Sequence, residues 1–237
     1  MALRRLEQWR SGIPAAFALD RSNAFPEQTL ERPEMRSLAS IYLRYDHAII
    51  TLLRPVFFKL MTSIIQGETD ATFLDGHHEL SVECIAAARC SLQILQMLAE
   101  ADRIAKYGFW ESLHIFSSLT ITTLATLVNK TRPYSFNTSE LDENIISNCN
   151  GLLSDMAAAG NLAARSHQKM LQDIENSLGP IFAGPDSQQV DAALQWADME
   201  AELLQWADLF DEPFGLPSND FLAFTPAVHN TLSASKE

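Results

Sequence analysis

Apolar residues recur along this chain at steps of three and four, and no stretch alternates in the two-residue rhythm of a half-buried strand. The pattern predicts an all-α protein, an irregular bundle of helices punctuated by Pro, Gly and Asn/Asp. Leu3, Leu6 and Trp9 form a short amphipathic stripe that stops at Gly12 and Pro14. Pro14, Pro26 and Pro33 make residues 14–36 an irregular connector. A second helix starts near Pro33-Glu34, where a proline costs little because its missing N–H has no partner to lose. Leu38, Ile41, Tyr42, Tyr45, Ile49 and Leu52 line it. Arg54-Pro55 should interrupt it, since proline removes a donor and clashes with the preceding turn. Val56 to Ile65 then continues as a kinked segment, and Gly67 to Gly76 reads as a loop.

A third helix is expected over roughly Glu79 to Ala105, and a fourth over Phe109 to Asn129. The fourth is apolar nearly all round and should be the most buried. Ser139-x-x-Asp142 resembles a capping box opening a fifth helix. Gly160-Asn161 is a turn, a sixth helix runs from Leu162 to Leu178, and Gly179-Pro180 breaks the chain. From Ser187 a further helix can reach Leu209. It carries the echo Leu194-Gln-Trp-Ala-Asp198 and Leu204-Gln-Trp-Ala-Asp208, which sets Trp196 and Trp206 about 80° apart on one broad face.

Charge changes the picture of that last stretch. The 237 residues carry 17 basic and 30 acidic groups, a net charge of −13. Residues 1–120 hold 12 basic and 14 acidic groups; residues 121–237 hold 5 and 16. Between Asp186 and Phe224 there are nine acids and no Lys or Arg, interleaved with Phe210, Phe214, Phe221 and Phe224. Mutual repulsion keeps Trp and Phe in such a segment open to water and available to a partner's groove. That is the logic of a transcriptional activation segment, against the alternative of a C-terminal helix docked on the core with its acids solvated. The domain division expected is therefore 1–180, helical, and 187–237, an acidic aromatic tail, partly disordered. So acidic a chain is poorly suited to bind nucleic acid through its overall field.

Candidate chemistry adds little. His77-His78-Glu79, with Glu83 and Cys84 nearby, invites a metal, but adjacent helical histidines point about 100° apart. Cys84 and Cys90, six apart, lie about 120° apart and do not suit a shared zinc; they and Cys149 read as small buried apolar residues. Three cysteines also favour a reducing compartment. There is no phosphate loop, nucleophile elbow or HExxH, so no enzyme, cofactor or metal is expected. Glu111 stands out as a charge in the buried fourth helix, and its expected partner is Arg89 or Arg103. A membrane span is not expected, because Phe109 to Val128 contains Glu111, His114 and several hydroxyls.

One stretch carries a resemblance. Ile41 to Pro55, with Tyr45, Ile49, Leu52, Arg54, Pro55 and Phe57, resembles a signature in the regulatory middle homology region of fungal zinc binuclear cluster transcription factors. Leu6-x-x-Trp9 with Ile13-Pro14 looks like its lead-in. Cys84-Ile-Ala-Ala87, Trp110 and Met156-x-x-x-Gly160-Asn161-x-Ala163-Ala164 look like the later helices. The likeness spans residues 3–178. It implies an all-α domain in a nuclear regulator of RNA polymerase II transcription, often of metabolic or biosynthetic genes. The zinc-cluster module needs six suitably spaced cysteines; this chain has three, so no zinc and no DNA contact of its own carry over. The partners implied are the transcription machinery or a coactivator through Trp196, Trp206 and the tail phenylalanines, a dimer or DNA-binding partner, and a small-molecule effector. The alternative function is a small-molecule-sensing helical domain without DNA binding, its pocket lined by Tyr107, Glu111 and His114.

Overall fold

The computed structural model describes residues 2–14, 35–65, 71–131, 136 and 140–182, with the side chains of 65, 71–75, 130, 131, 140–142 and 178–182 left out. Among the described residues there are six helices and no strand. They are α1 (Ala2–Ser11), α2 (Met35–Ile65), α3 (Ala71–Glu100), α4 (Phe109–Thr131), α5 (Glu140–Ala158) and α6 (Leu162–Phe182). The architecture is all-α, as the periodicity predicts.

α4 is the centre. Every residue from Ser112 to Thr122 is buried, and the helix packs against α2, α3, α5 and α6. Burying so many hydroxyls would be costly if they were unpaired. Most of them bond back to their own helix instead: Thr120 Oγ1 donates to the Phe116 carbonyl at 2.9 Å, and Thr122 Oγ1 to that of Ser118 at 2.9 Å, whereas Ser118 Oγ is buried without a hydrogen-bond partner. A Ser/Thr-rich helix can thereby be apolar outward on every side.

Four expectations need correction. α2 runs unbroken through Pro55. Pro55 is exposed and Thr51 half-exposed, so water can reach the carbonyl that the proline leaves without a donor. α3 opens at Ala71 rather than after a loop to Gly76; Gly76 lies inside it at a cost of about 1 kcal/mol relative to Ala, too small to stop a 30-residue helix. α3 also ends sooner, at Glu100. Asp102 adopts φ 50, Arg103 N–H bonds to the Leu98 carbonyl at 2.7 Å, and Asp102 N–H to that of Ala99 at 2.9 Å, the paired closure of a left-handed helix cap. Finally, α6 passes through Gly179-Pro180 to Phe182.

The helix expected from Ser187 lies outside the described residues, as do Trp196, Trp206, Phe210, Phe214, Phe221 and Phe224. The Ser139 cap side chain is also outside them. Among the described residues two helices, Met35–Ile64 and Gly76–Glu100, are long and apolar enough to cross a membrane on length and composition, and 50% and 56% of their apolar windows are buried within the fold.

Candidate functional site

The signature residues occupy one continuous helix, and helical spacing sends them to different surroundings. Tyr45 is buried and stacks on Trp9 of α1, ring centroids 5.6 Å apart and planes 20° apart. The Arg10 guanidinium lies 5.9 Å from the same ring, close enough for cation–π attraction. Tyr45 therefore fastens α1 to the bundle. Ile49 is fully buried. Phe57 is fully buried beside Phe58 and 6.1 Å from Phe136. Phe136 is held in turn: its N–H donates to Asn129 Oδ1 at 2.9 Å, Asn129 Nδ2 donates to its carbonyl, and His78 stacks flat on its ring at 5.7 Å. His78 is thus an aromatic packing partner. Among the described residues no group of three or more His, Cys, Asp or Glu is placed to hold a metal ion.

Arg54 points back into the fold. Its charge acts on His47 and on Cys84, lowering the proton affinity of both. Burial outweighs it at Cys84 and pushes that thiol up to about 12; burial does the same at Cys149, whose Sγ donates to the Leu92 carbonyl at 3.6 Å. Both thiols therefore stay protonated and poorly nucleophilic at neutral pH. The exposed Pro55 follows, so Arg54-Pro55 marks the point where the helix turns an arginine inward and a proline outward.

Between α2 and α4 lies a polar seam centred on His47 and His114. The rings of His47 and His114 meet edge to face, 5.1 Å apart. His47 Nδ1 is 3.3 Å from Ser117 Oγ, and Trp110 stacks on His114 at 6.1 Å with the Arg44 guanidinium 5.8 Å from the indole. Burial lowers the pKa of His47 to about 4 and that of His114 to about 3, helped by Arg54 at the first and by His47 and Arg44 at the second. Both rings are neutral at physiological pH, and His114 Nδ1 is buried without a hydrogen-bond partner. The seam reads as aromatic packing under arginines, with neither ring poised near pH 7 for proton transfer.

The polar residues proposed as pocket liners do not share an environment. Tyr107 is 74% exposed. Glu111 pairs with Arg36 at 3.3 Å, rather than with Arg89 or Arg103, because it stands in the first turn of α4 facing the start of α2. Its carboxylate folds over Gly108, where a Cβ would collide with it. His114 is buried in the seam.

Asn161, read in the sequence as half of a Gly-Asn turn, organises the corner between α5 and α6. Gly160 takes φ 103, and Asn161 N–H bonds to the Met156 carbonyl at 3.1 Å, closing α5. Asn161 Oδ1 then accepts from Ala164 N–H at 3.0 Å, capping α6. Its Nδ2 donates to the carbonyls of Lys106 and Gly108, at 3.1 and 3.2 Å. The Gly-Asn pair at a helix break was the available signal: glycine for the left-handed turn, asparagine for the next cap.

An apolar groove of about 560 Å³ opens between α1 and the start of α2, walled by Trp9, Ile13, Pro14, Leu38, Ile41 and Tyr42. No protein-family model and no solved structure matches this chain. The chain is 27% identical over 119 residues to an uncharacterized transcriptional regulatory protein of the fission yeast Schizosaccharomyces pombe. The match covers 50% of this chain and 14% of that protein, so the chain corresponds to a small part of its relative. The similarity is to a fungal transcription regulator.

Proposed function

We propose that this protein is a non-enzymatic regulator of RNA polymerase II transcription that acts in the nucleus through protein partners. Residues 1–180 form its helical regulatory domain, resembling the middle homology region of fungal zinc-cluster factors, and residues 187–237 are an acidic, aromatic segment that engages the transcription machinery or a coactivator. Its target genes are metabolic or biosynthetic. Contact with DNA comes through a dimer or a DNA-binding partner. The observation that carries this reading is the similarity to a named transcriptional regulatory protein. The polarised charge supports it, since nine acids and six large aromatics share residues 186–224 without a single Lys or Arg.

The test is a fusion of the full chain to a foreign DNA-binding domain, read on a reporter. Activation of at least about tenfold is expected, and substitution of Trp196, Trp206, Phe210, Phe214, Phe221 and Phe224 by Ala should return it to background, because aromatic anchors dominate such contacts. A silent wild-type fusion rejects the activator reading.

A further inference from the structure

The groove between α1 and α2 holds its apolar walls open to solvent. Trp9 is 48% and Ile41 44% exposed, although both are large apolar residues beside a buried core. Contiguous apolar surface of this kind marks docking sites on soluble proteins. Basic groups outnumber acids along its α1 edge. Arg4 and Arg5, with Glu7, line an adjoining depression that shares Gln8 with the groove. Arg10 lies beside Tyr45, and Arg44, one helical turn beyond Ile41, reaches over Trp110 on the α4 side. The acids on these two stretches, Glu7 and Asp46, are outnumbered, and Asp46 is buried. A basic rim in a chain of net charge −13 is a local reversal. At physiological salt a charge is felt over about 8 Å, so a bound segment experiences the nearby arginines more than distant acids.

We propose that this groove binds an acidic amphipathic peptide segment of another protein. An aromatic or leucine side chain of that segment seats between Trp9 and Ile41, and its carboxylates face Arg4, Arg5 and Arg10. Helix-in-groove recognition needs this pairing of an apolar slot with a complementary charged border. Nucleic acid fits less well, since a phosphate backbone offers nothing to fill a slot walled by Trp9, Leu38, Ile41 and Tyr42. The proposal concerns the folded helices and stands independently of what the acidic tail does.

The full chain is titrated against a fluorescent peptide of about 15 residues, built of Asp, Glu, Leu and Phe with apolar positions three and four apart. An uncharged version with Asn and Gln in place of the acids and a short DNA duplex are run beside it. Saturable binding of the acidic peptide is expected, weakened about tenfold or more by Ile41→Glu and by Arg4→Glu with Arg5→Glu, at unchanged melting temperature. These side chains are exposed or at the rim, so the fold should survive the changes. Absence of binding overturns the proposal. So does equal affinity for the uncharged peptide, or binding that ignores Ile41→Glu. Preference for the DNA duplex, or self-association of the chain abolished by Ile41→Glu, would assign the face to nucleic acid or to a second copy instead. None of these outcomes depends on the reporter assay.

Discussion

From Ile49 to Ile64, α2 buries Ile49, Leu53, Phe57, Phe58, Leu60 and Met61 almost completely. From Met35 to Ala48 the same helix also buries residues, but it leaves Ile41 open, takes up Trp9 and Arg10 against Tyr45, and turns His47 toward His114. Arg54 and the exposed Leu52 apart, the later half meets apolar neighbours that fill space; the earlier half meets arginines, imidazoles and a groove. Burial accounts for why the later half exists. In the earlier half stability and recognition compete, because exposed apolar surface forgoes roughly 25 cal/mol for each Å² left in water. A shared helix lets one end anchor what the other end displays.

The sharpest way to break that contrast is Phe57→Ala. Removing a fully buried phenylalanine from the Phe58–Phe136 cluster leaves a cavity that the surrounding rings cannot close, and a loss of about 3–5 kcal/mol in urea-induced unfolding is expected. A loss under about 1 kcal/mol would show that the later half of α2 is not a packed core.

Acid should act on the earlier half. His47, and His114 facing it from α4, have pKa values lowered by burial to about 4 and 3 in the fold, against 6.5 when exposed. Below pH 6.5 the unfolded chain therefore binds more protons than the folded one. The stability these residues contribute is complete above that pH and is lost as pH falls toward 4, by up to about 1.4 kcal/mol per pH unit for each histidine. Unfolding midpoints measured between pH 7 and 4.5 should fall steadily, and His114→Phe should flatten the slope while keeping the stack on Trp110. A slope unchanged by that substitution would remove His114 from the account.

The helices were legible in the sequence because buried faces impose their period on it: Leu38, Tyr42, Tyr45 and Ile49 announce α2, and the all-round apolar run announces α4. Punctuation was less legible. A proline at position 55 reads as a break, but whether water can meet the carbonyl it frees depends on which face it occupies, a tertiary fact. The end of α3 rests on Asp102 in a conformation that usually calls for glycine, so no local signal marked it. The polar seam was invisible for another reason. His47 and His114 are 67 positions apart and meet only because α2 and α4 pack side by side. Of the residues named by the resemblance, Tyr45, Ile49 and Phe57 are buried, and the charge of Arg54 acts on His47 and Cys84.

The smallest effect is the most discriminating. Trp9→Ala removes a stacking partner from Tyr45 and one wall of the groove, yet α1 has no buried residue and Trp9 is already half in water. An aromatic pair of this kind contributes about 0.5–1.5 kcal/mol beyond its area, so unfolding should weaken by about 1 kcal/mol, several times less than for Phe57→Ala. Trp9→Ala should nevertheless weaken binding of the acidic peptide as strongly as Ile41→Glu does, whereas Phe57→Ala, assayed well below its melting temperature, should leave peptide affinity near wild type. If the two substitutions instead lowered stability and affinity in proportion, the peptide would be reporting the folded fraction of the chain, and the two halves of α2 would be one structural unit rather than an anchor and a display.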